Sequence, residues 1–230
     1  MNTATESTLG VYTFIVTSLI IIARNFLHES REKLNASAQQ SDDFESKIAN
    51  DTPERFAVDD KALAIERMLH ETIPLSRSEH MNISALKFDV SSGSLTLSAP
   101  LAPTNFNVHG SGFAGSLHSI CALTAWSSVS ALLQDAANAT EGLRGATLVI
   151  KSTTVSYRRP VTSARIVAAS ENIIVAWNIF CRELLEKRKA DIDVNVHIFQ
   201  DRVSKTTGLV EAVPAVDFVA TCTGYFPNHI

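Results

Sequence analysis

The residues best suited to chemistry lie between Pro103 and Trp126, PTNFNVHGSGFAGSLHSICALTAW. Asn105, Asn107 and His109 lead, and Gly110, Gly112 and Gly115 follow at close spacing. Glycine lets a chain bend sharply and brings backbone close to a bound molecule. From about Ala114 the stretch reads as a helix. The first N–H groups of a helix have no partner within it and form the positive end of its dipole, so they can polarise a carbonyl oxygen. A histidine beside them adds a group suited to moving a proton near neutral pH. Plainer readings exist. Asn107 suits a loop in which its side chain bonds its own backbone. His109 suits a turn, Ser116 a helix start, and His118 a core position with a partner.

Other chemistries find little support. Cys121, Cys181 and Cys222 are far apart, and no CxxC pair occurs. A zinc knuckle or redox motif is therefore not expected, and the thiols read as buried small hydrophobes. The formal net charge is −4. With no basic field and no nucleic-acid motif, no nucleic-acid partner is expected.

The elements that must position the glycine-rich turn follow from periodicity. Ala62, Ile65, Met68, Leu69 and Thr72 recur at helical spacing until Pro74. Leu86, Phe88 and Val90 then alternate with polar residues, a Ser-Ser-Gly turn covers 91–93, and Leu95, Leu97 and Ala99 alternate again. From Gly110 to Gln134 there is no Lys, Arg, Asp or Glu, which predicts a helix enclosed in the core. Strands are expected over 147–157 and 165–169, and a helix capped by Ser170 and running to about Lys187. The clearest alternation sets Ile192, Val194, Val196 and Ile198 against Asp191, Asp193, Asn195 and His197, whose face reads as solvated. Gly208 and Pro214 mark residues 201–215 as a loop or hairpin insertion before a last strand from about Val216 to Phe226. An antiparallel sheet curled around one buried helix is an α+β arrangement.

The N-terminal quarter differs. Residues 1–27 hold the apolar run LGVYTFIVTSLIIIA, closed by Arg24. From Thr8 to Leu27 it is long enough to span a bilayer. Arg24, Arg31 and Lys33 follow it, which predicts an anchor with the C-terminal domain in the cytosol; a targeting sequence and a soluble hydrophobic appendage are the other readings. Residues 28–56 are polar and read as a linker, in which Thr52 and Pro53 could start a short helix. The folded domain is expected over 57–230.

Four pieces of that domain, ERMLHETIPLSRS, LTLSAPLAP, NVHGSGFAGSL and VSYRRPV, resemble a known family. It is the thioesterase domain family of the hotdog superfamily, found in some bacteria behind an N-acetyltransferase domain. The resemblance spans about residues 60–226. It implies a hotdog fold, a homodimer or higher homo-oligomer with sites between subunits, and hydrolysis of an acyl thioester of CoA or acyl carrier protein. CoA is then part of the substrate and no cofactor is expected. Asn107, Gly110, Ser111, Phe113, Gly115 and Ser116 fall on the family's pattern. Val108 departs from it, standing where many members carry histidine. Several hotdog thioesterases also place a carboxylate on the central helix, and here none occurs before Asp135.

On this resemblance, backbone N–H groups near Gly115 and Ser116 hold the developing oxyanion. His109 or Asn107 orients or activates water, Gly110 and Phe113 line the substrate, and Arg158 or Arg159 meets a CoA phosphate. Arg159, before Pro160, equally suits a structural strand residue. Two other functions compete. One is an acyl-CoA-binding or scaffold protein without turnover. The other is a hotdog enoyl-thioester hydratase or dehydratase, which Asn105-Phe106-Asn107-Val108-His109 resembles loosely, with Asn105 in place of an aspartate.

Overall fold

A computed structural model describes residues 59–102, 105–203 and 210–227, with the side chains of 201–203, 210 and 211 left out. The expected anchor, linker and helix start at Thr52 and Pro53 lie outside the described residues.

Helix α1 (Asp60–Thr72) begins where Asp59 accepts from the backbone N–H groups of Lys61 and Ala62. It buries Ala62, Ile65 and Leu69 and stops before Pro74. Strands β1 (Ser84–Asp89) and β2 (Ser94–Pro100) form the expected hairpin. Its turn requires Gly93, where φ is +70° and an added Cβ would lie 2.8 Å from both Ile173 and Leu132. The expected alternation fails at two positions. A bulge between Ala85 and Lys87 turns Leu86 outward, and Val90 stands exposed in the turn.

The charge-free segment forms α2 (Ala114–Ala139), followed by β3 (Thr147–Tyr157), β4 (Arg165–Ser170), α3 (Ile174–Lys187), β5 (Lys189–Val203) and β6 (Val210–Tyr225). The six strands form one antiparallel sheet in the order β1-β2-β4-β5-β6-β3, and α2 packs against β2 to β6. This is the α+β hotdog arrangement, a sheet wrapped around a long central helix. Leu117, Ile120, Cys121, Ala125, Val129 and Leu132 carry the apolar contact. Two of its buried hydroxyls bond back into the helix, Thr124 to Ile120 O and Ser128 to Thr124 O. Cys121 and Cys222 are buried and Cys181 half-buried, all free. Burial pushes the Cys121 thiol up to about 12 and Cys181 to about 11.

Two expectations are corrected. Ser170 does not cap α3: it ends β4, with its buried hydroxyl accepting from Leu95 N–H and bonded to Ser128. Asn172 accepts from Ile174 N–H instead. Of the two readings of residues 201–215, the hairpin holds and the loop is the one set aside, because β5 and β6 continue pairing as far as Val203 and Val210. Pro214 fits within β6 opposite Phe199, where a register shift leaves the ladder irregular and a missing N–H is tolerated.

The two sheet edges differ. Along β1, Asp59 accepts from Phe88 N–H, Glu66 accepts from Ala85 N–H, and His70 Nε2 bonds Ile83 O. Those α1 side chains occupy groups that an edge strand would otherwise offer to another chain. Along β3, among the described residues, one such contact appears, from Trp126 Nε1 to Leu148 O. Residues 151–154 there are exposed.

Candidate active site

The turn entering α2 is held by two asparagines. Asn105 is 5% exposed; its amide nitrogen donates to Pro100 O and its Oδ1 accepts from Ser116 Oγ at 3.0 Å. Its carbonyl accepts from Phe113 N–H at 2.6 Å. The Asn107 Oδ1 accepts from the N–H groups of His109 and Ser111, and its Nδ2 donates to Ser111 Oγ. Asn107 thus adopts the local backbone-bonding role that its residue type favours. Gly110 takes φ +71° at the tip, and Gly112 N–H donates to Val161 O at 2.7 Å. His109 is exposed, and its ring has no partner among the described residues.

Phe113 occupies the N-cap of α2 and supplies no side-chain acceptor. Ser116, which could have capped the first turn, points its hydroxyl at Asn105. Among the described residues, no side chain therefore caps the opening N–H groups of the helix. Ala114 and Gly115 are exposed there, and a Cβ on Gly115 would lie 2.5 Å from the Phe113 ring. Tyr157 donates from its hydroxyl to Ala114 O at 3.0 Å, fixing the end of β3 to this helix start. One turn on, His118 Nε2 lies 3.1 Å from Thr153 Oγ1, and its ring meets Phe218 edge-on at 5.2 Å.

A family model described as "Putative thioesterase (yiiD_Cterm)" matches residues 62–209, a span that includes the whole turn and helix start. The chain belongs to this thioesterase family. No curated protein matches it. Among solved structures, the chain is similar to a protein of unknown function from Chlorobaculum tepidum, with 22% identity and a TM-score of 0.57 over 72% of this chain and 94% of that one. A Pseudomonas aeruginosa protein described as a probable thioesterase gives 20% identity and a TM-score of 0.49 over 71% and 95%. The PaaI protein of the Escherichia coli phenylacetic acid degradation operon gives 12% and 0.44 over 72% and 94%.

For this thioesterase-family domain, the turn gathers Asn107, His109, Gly110, Phe113, Gly115 and Ser116 around the start of α2. Arg158 and Arg159 come from the end of β3, where both N–H groups donate to Ala215 O. The Arg158 side chain turns to the outer face of the sheet and pairs with Asp217. Arg159 is exposed, with no side-chain partner among the described residues. Sequence reading did not reach Asn105 as a brace, or Thr153 as the partner of His118. The spacing of His118 from Gly115 places both on one helix face, but it does not mark Thr153 as the partner.

Asp217 also accepts from His197 Nδ1 at 2.9 Å, while His197 Nε2 lies 3.0 Å from Glu171 Oε1. An imidazole donates from both nitrogens only when protonated. Burial by itself would lower the His197 pKa; hydrogen bonds to Glu171 and Asp217, with their charges, outweigh it and hold the pKa above its usual value. Stability from a raised pKa is complete below the unfolded value of about 6.5 and is lost as pH rises through the folded value. His197→Gln is therefore expected to lower the urea midpoint near pH ~5.5 and to change it little near pH ~9. Equal losses at both would show that the clamp does not titrate.

Proposed function

We propose that this chain hydrolyses an acyl thioester, with CoA or acyl carrier protein as the leaving thiol. The observation that supports it most is the uncapped start of α2 at an exposed glycine, braced from both sides by Asn105 and Tyr157. The thioester carbonyl accepts from the N–H groups of Gly115 and Ser116, which are fixed before the substrate arrives. Preorganised donors of this kind stabilise a developing oxyanion by ~3 kcal/mol each, because they need no reorientation during the reaction. Asn107 sets the turn that delivers them. His109, at the exposed tip, reaches water or the leaving group, and Gly110 and Phe113 border the acyl group. Arg159, exposed next to the turn, meets a phosphate of the thiol carrier more readily than Arg158, which is paired with Asp217.

The open edge of β3 beside this site suits pairing with a second copy of the chain, and the family resemblance points to a dimer or higher oligomer. Anchoring of residues 8–27 in a membrane, with the domain on the cytosolic side, belongs to the same proposal and rests on sequence alone. The hydratase reading required Asn105 to face substrate, and that residue is buried with both ends of its amide bonded. One observation favours the binding-protein reading: the first acidic residue of α2, Asp135, is paired with Lys61 rather than placed at the helix start.

Thiol release from a panel of acyl-CoAs by the full chain separates these readings. Turnover that drops in Asn107→Ala or His109→Ala, with folding retained, supports the hydrolase and its placement at this turn. Saturable binding without turnover on any acyl-CoA or acyl carrier protein would replace it with an acyl-thioester-binding protein.

A further inference from the structure

We infer that His118, held by Thr153, is the general base of the hydrolysis. This rests on the thioesterase reading above and goes further by assigning the proton transfer.

Four observations converge on it. A helical side chain leans toward the N-terminus, over the residues three and four positions before it. For His118 those residues are Ala114 and Gly115, at the uncapped start of α2. Gly115 carries no side chain that would screen the imidazole from a carbonyl held there. Thr153 Oγ1 engages Nε2 at 3.1 Å, and Nδ1 has no partner among the described residues. If Nε2 donates to the threonine, the lone pair rests on Nδ1, and the partner of one ring nitrogen thereby fixes the role of the other. Finally, the Phe218 ring packs edge-on against the imidazole at 5.2 Å and limits its rotation.

His109 lacks these constraints. It is exposed, and no described residue holds its ring. The other titratable groups close to His118 are poor bases at neutral pH. Burial pushes the Tyr157 hydroxyl up, with the Cys121 charge adding to it, and burial takes the Cys121 thiol to about 12. No described carboxylate bonds His118, so Thr153 is the one described hydrogen-bond partner of the ring.

The step is as follows. Water attacks the thioester carbonyl carbon, the new C–O bond forms, and Nδ1 of His118 takes the water proton. The oxyanion rests on the N–H groups of Gly115 and Ser116. As the carbonyl re-forms, the C–S bond breaks and the imidazolium returns its proton to the leaving thiolate. The products are a carboxylic acid and a thiol, with no oxidant, metal or further reactant.

The experiment compares the full chain with His118→Gln, His109→Gln and Thr153→Val on whichever acyl-CoA turns over fastest. His118→Gln is expected to cut kcat about 100-fold or more, the size of a lost general base, with KM changed little. It should also remove the acid limb of the kcat/KM pH profile. Thr153→Val, at an exposed position, is expected to lower kcat about tenfold and to shift that limb, because the histidine remains but its tautomer is no longer fixed. A His118→Gln variant that keeps kcat within about threefold would overturn the assignment, as would loss of the acid limb in His109→Gln alone; the hydrolase reading would stand in both cases. If His118→Gln does not fold, Thr153→Val decides, and an unchanged kcat and pH profile would overturn the proposal. If the wild type turns over no acyl thioester, the thioesterase reading fails and this proposal fails with it.

Discussion

Replacing Gly115 with alanine is expected to reduce turnover about 100-fold while leaving the melting temperature unchanged or slightly higher. The two effects have separate causes. An added Cβ would lie 2.5 Å from the Phe113 ring, so the ring must move. Phe113 is 52% exposed and can swing aside at little cost to stability. The methyl group and the displaced ring would then occupy the space in front of the first N–H groups of α2. Loss of one oxyanion donor costs about 10²–10³ in rate, or ~3 kcal/mol of transition-state stabilisation. In the folded state alanine is the better helix former, by up to ~1 kcal/mol, although the first turn realises only part of that. Thiol-release kinetics paired with a thermal melt test both halves. Full activity in Gly115→Ala would remove Gly115 from the site. A collapse of stability would mean that the glycine serves packing rather than chemistry.

The second large effect lies at the far end of the core. Phe180→Ala is expected to destabilise the domain by ~3–5 kcal/mol, a large part of the ~5–15 kcal/mol that holds a typical domain. Phe180 is 1% exposed, stacks on Trp177 and lies over Gly224 of β6. A Cβ at Gly224 would be 2.5 Å from its ring and 3.3 Å from Leu184, so the ring lies directly on the strand backbone with Leu184 beside it. Removing the ring opens a cavity floored by strand backbone, which cannot collapse into it without breaking the ladder. Gly224→Ala alone is also expected to destabilise, by overpacking. In the Phe180→Ala background the same methyl group occupies vacated space, so the double variant should be less destabilised than the two losses combined. Urea denaturation of all four proteins measures this. Simple additivity would show that the glycine and the ring do not share the space.

Much of the fold can be read along the chain because each element's environment is written locally. The absence of charge from Gly110 to Gln134 requires enclosure, and the alternation of Asp191 to Ile198 requires a strand with one wet face. The turn could be placed because glycines and asparagines gather immediately before that helix. What could not be read depends on distant partners. The pairing of β3 with β6, and hence the open edge, joins residues far apart in sequence. The outward turn of Leu86 depends on a bulge that the alternation does not announce. Ser170 looks like a helix cap until Leu95 and Ser128 bond its hydroxyl. His118 likewise reads as a core residue until Thr153, on β3, is seen beside it.

The enclosure of α2 has a consequence for how the protein is made. This helix is long and apolar enough to cross a membrane by composition, yet 61% of its most apolar window is buried by the domain itself. Four of the strands that bury it follow it in the chain, and the last ends only at Tyr225. At a synthesis rate of ~5–20 residues per second, α2 leaves the ribosome several seconds before its cover exists. During that interval the nascent chain displays a bare greasy rod to chaperones and to any insertion machinery nearby. Synthesis that stalls between α2 and β6 should therefore be harmful, because the helix is then complete and its cover is not.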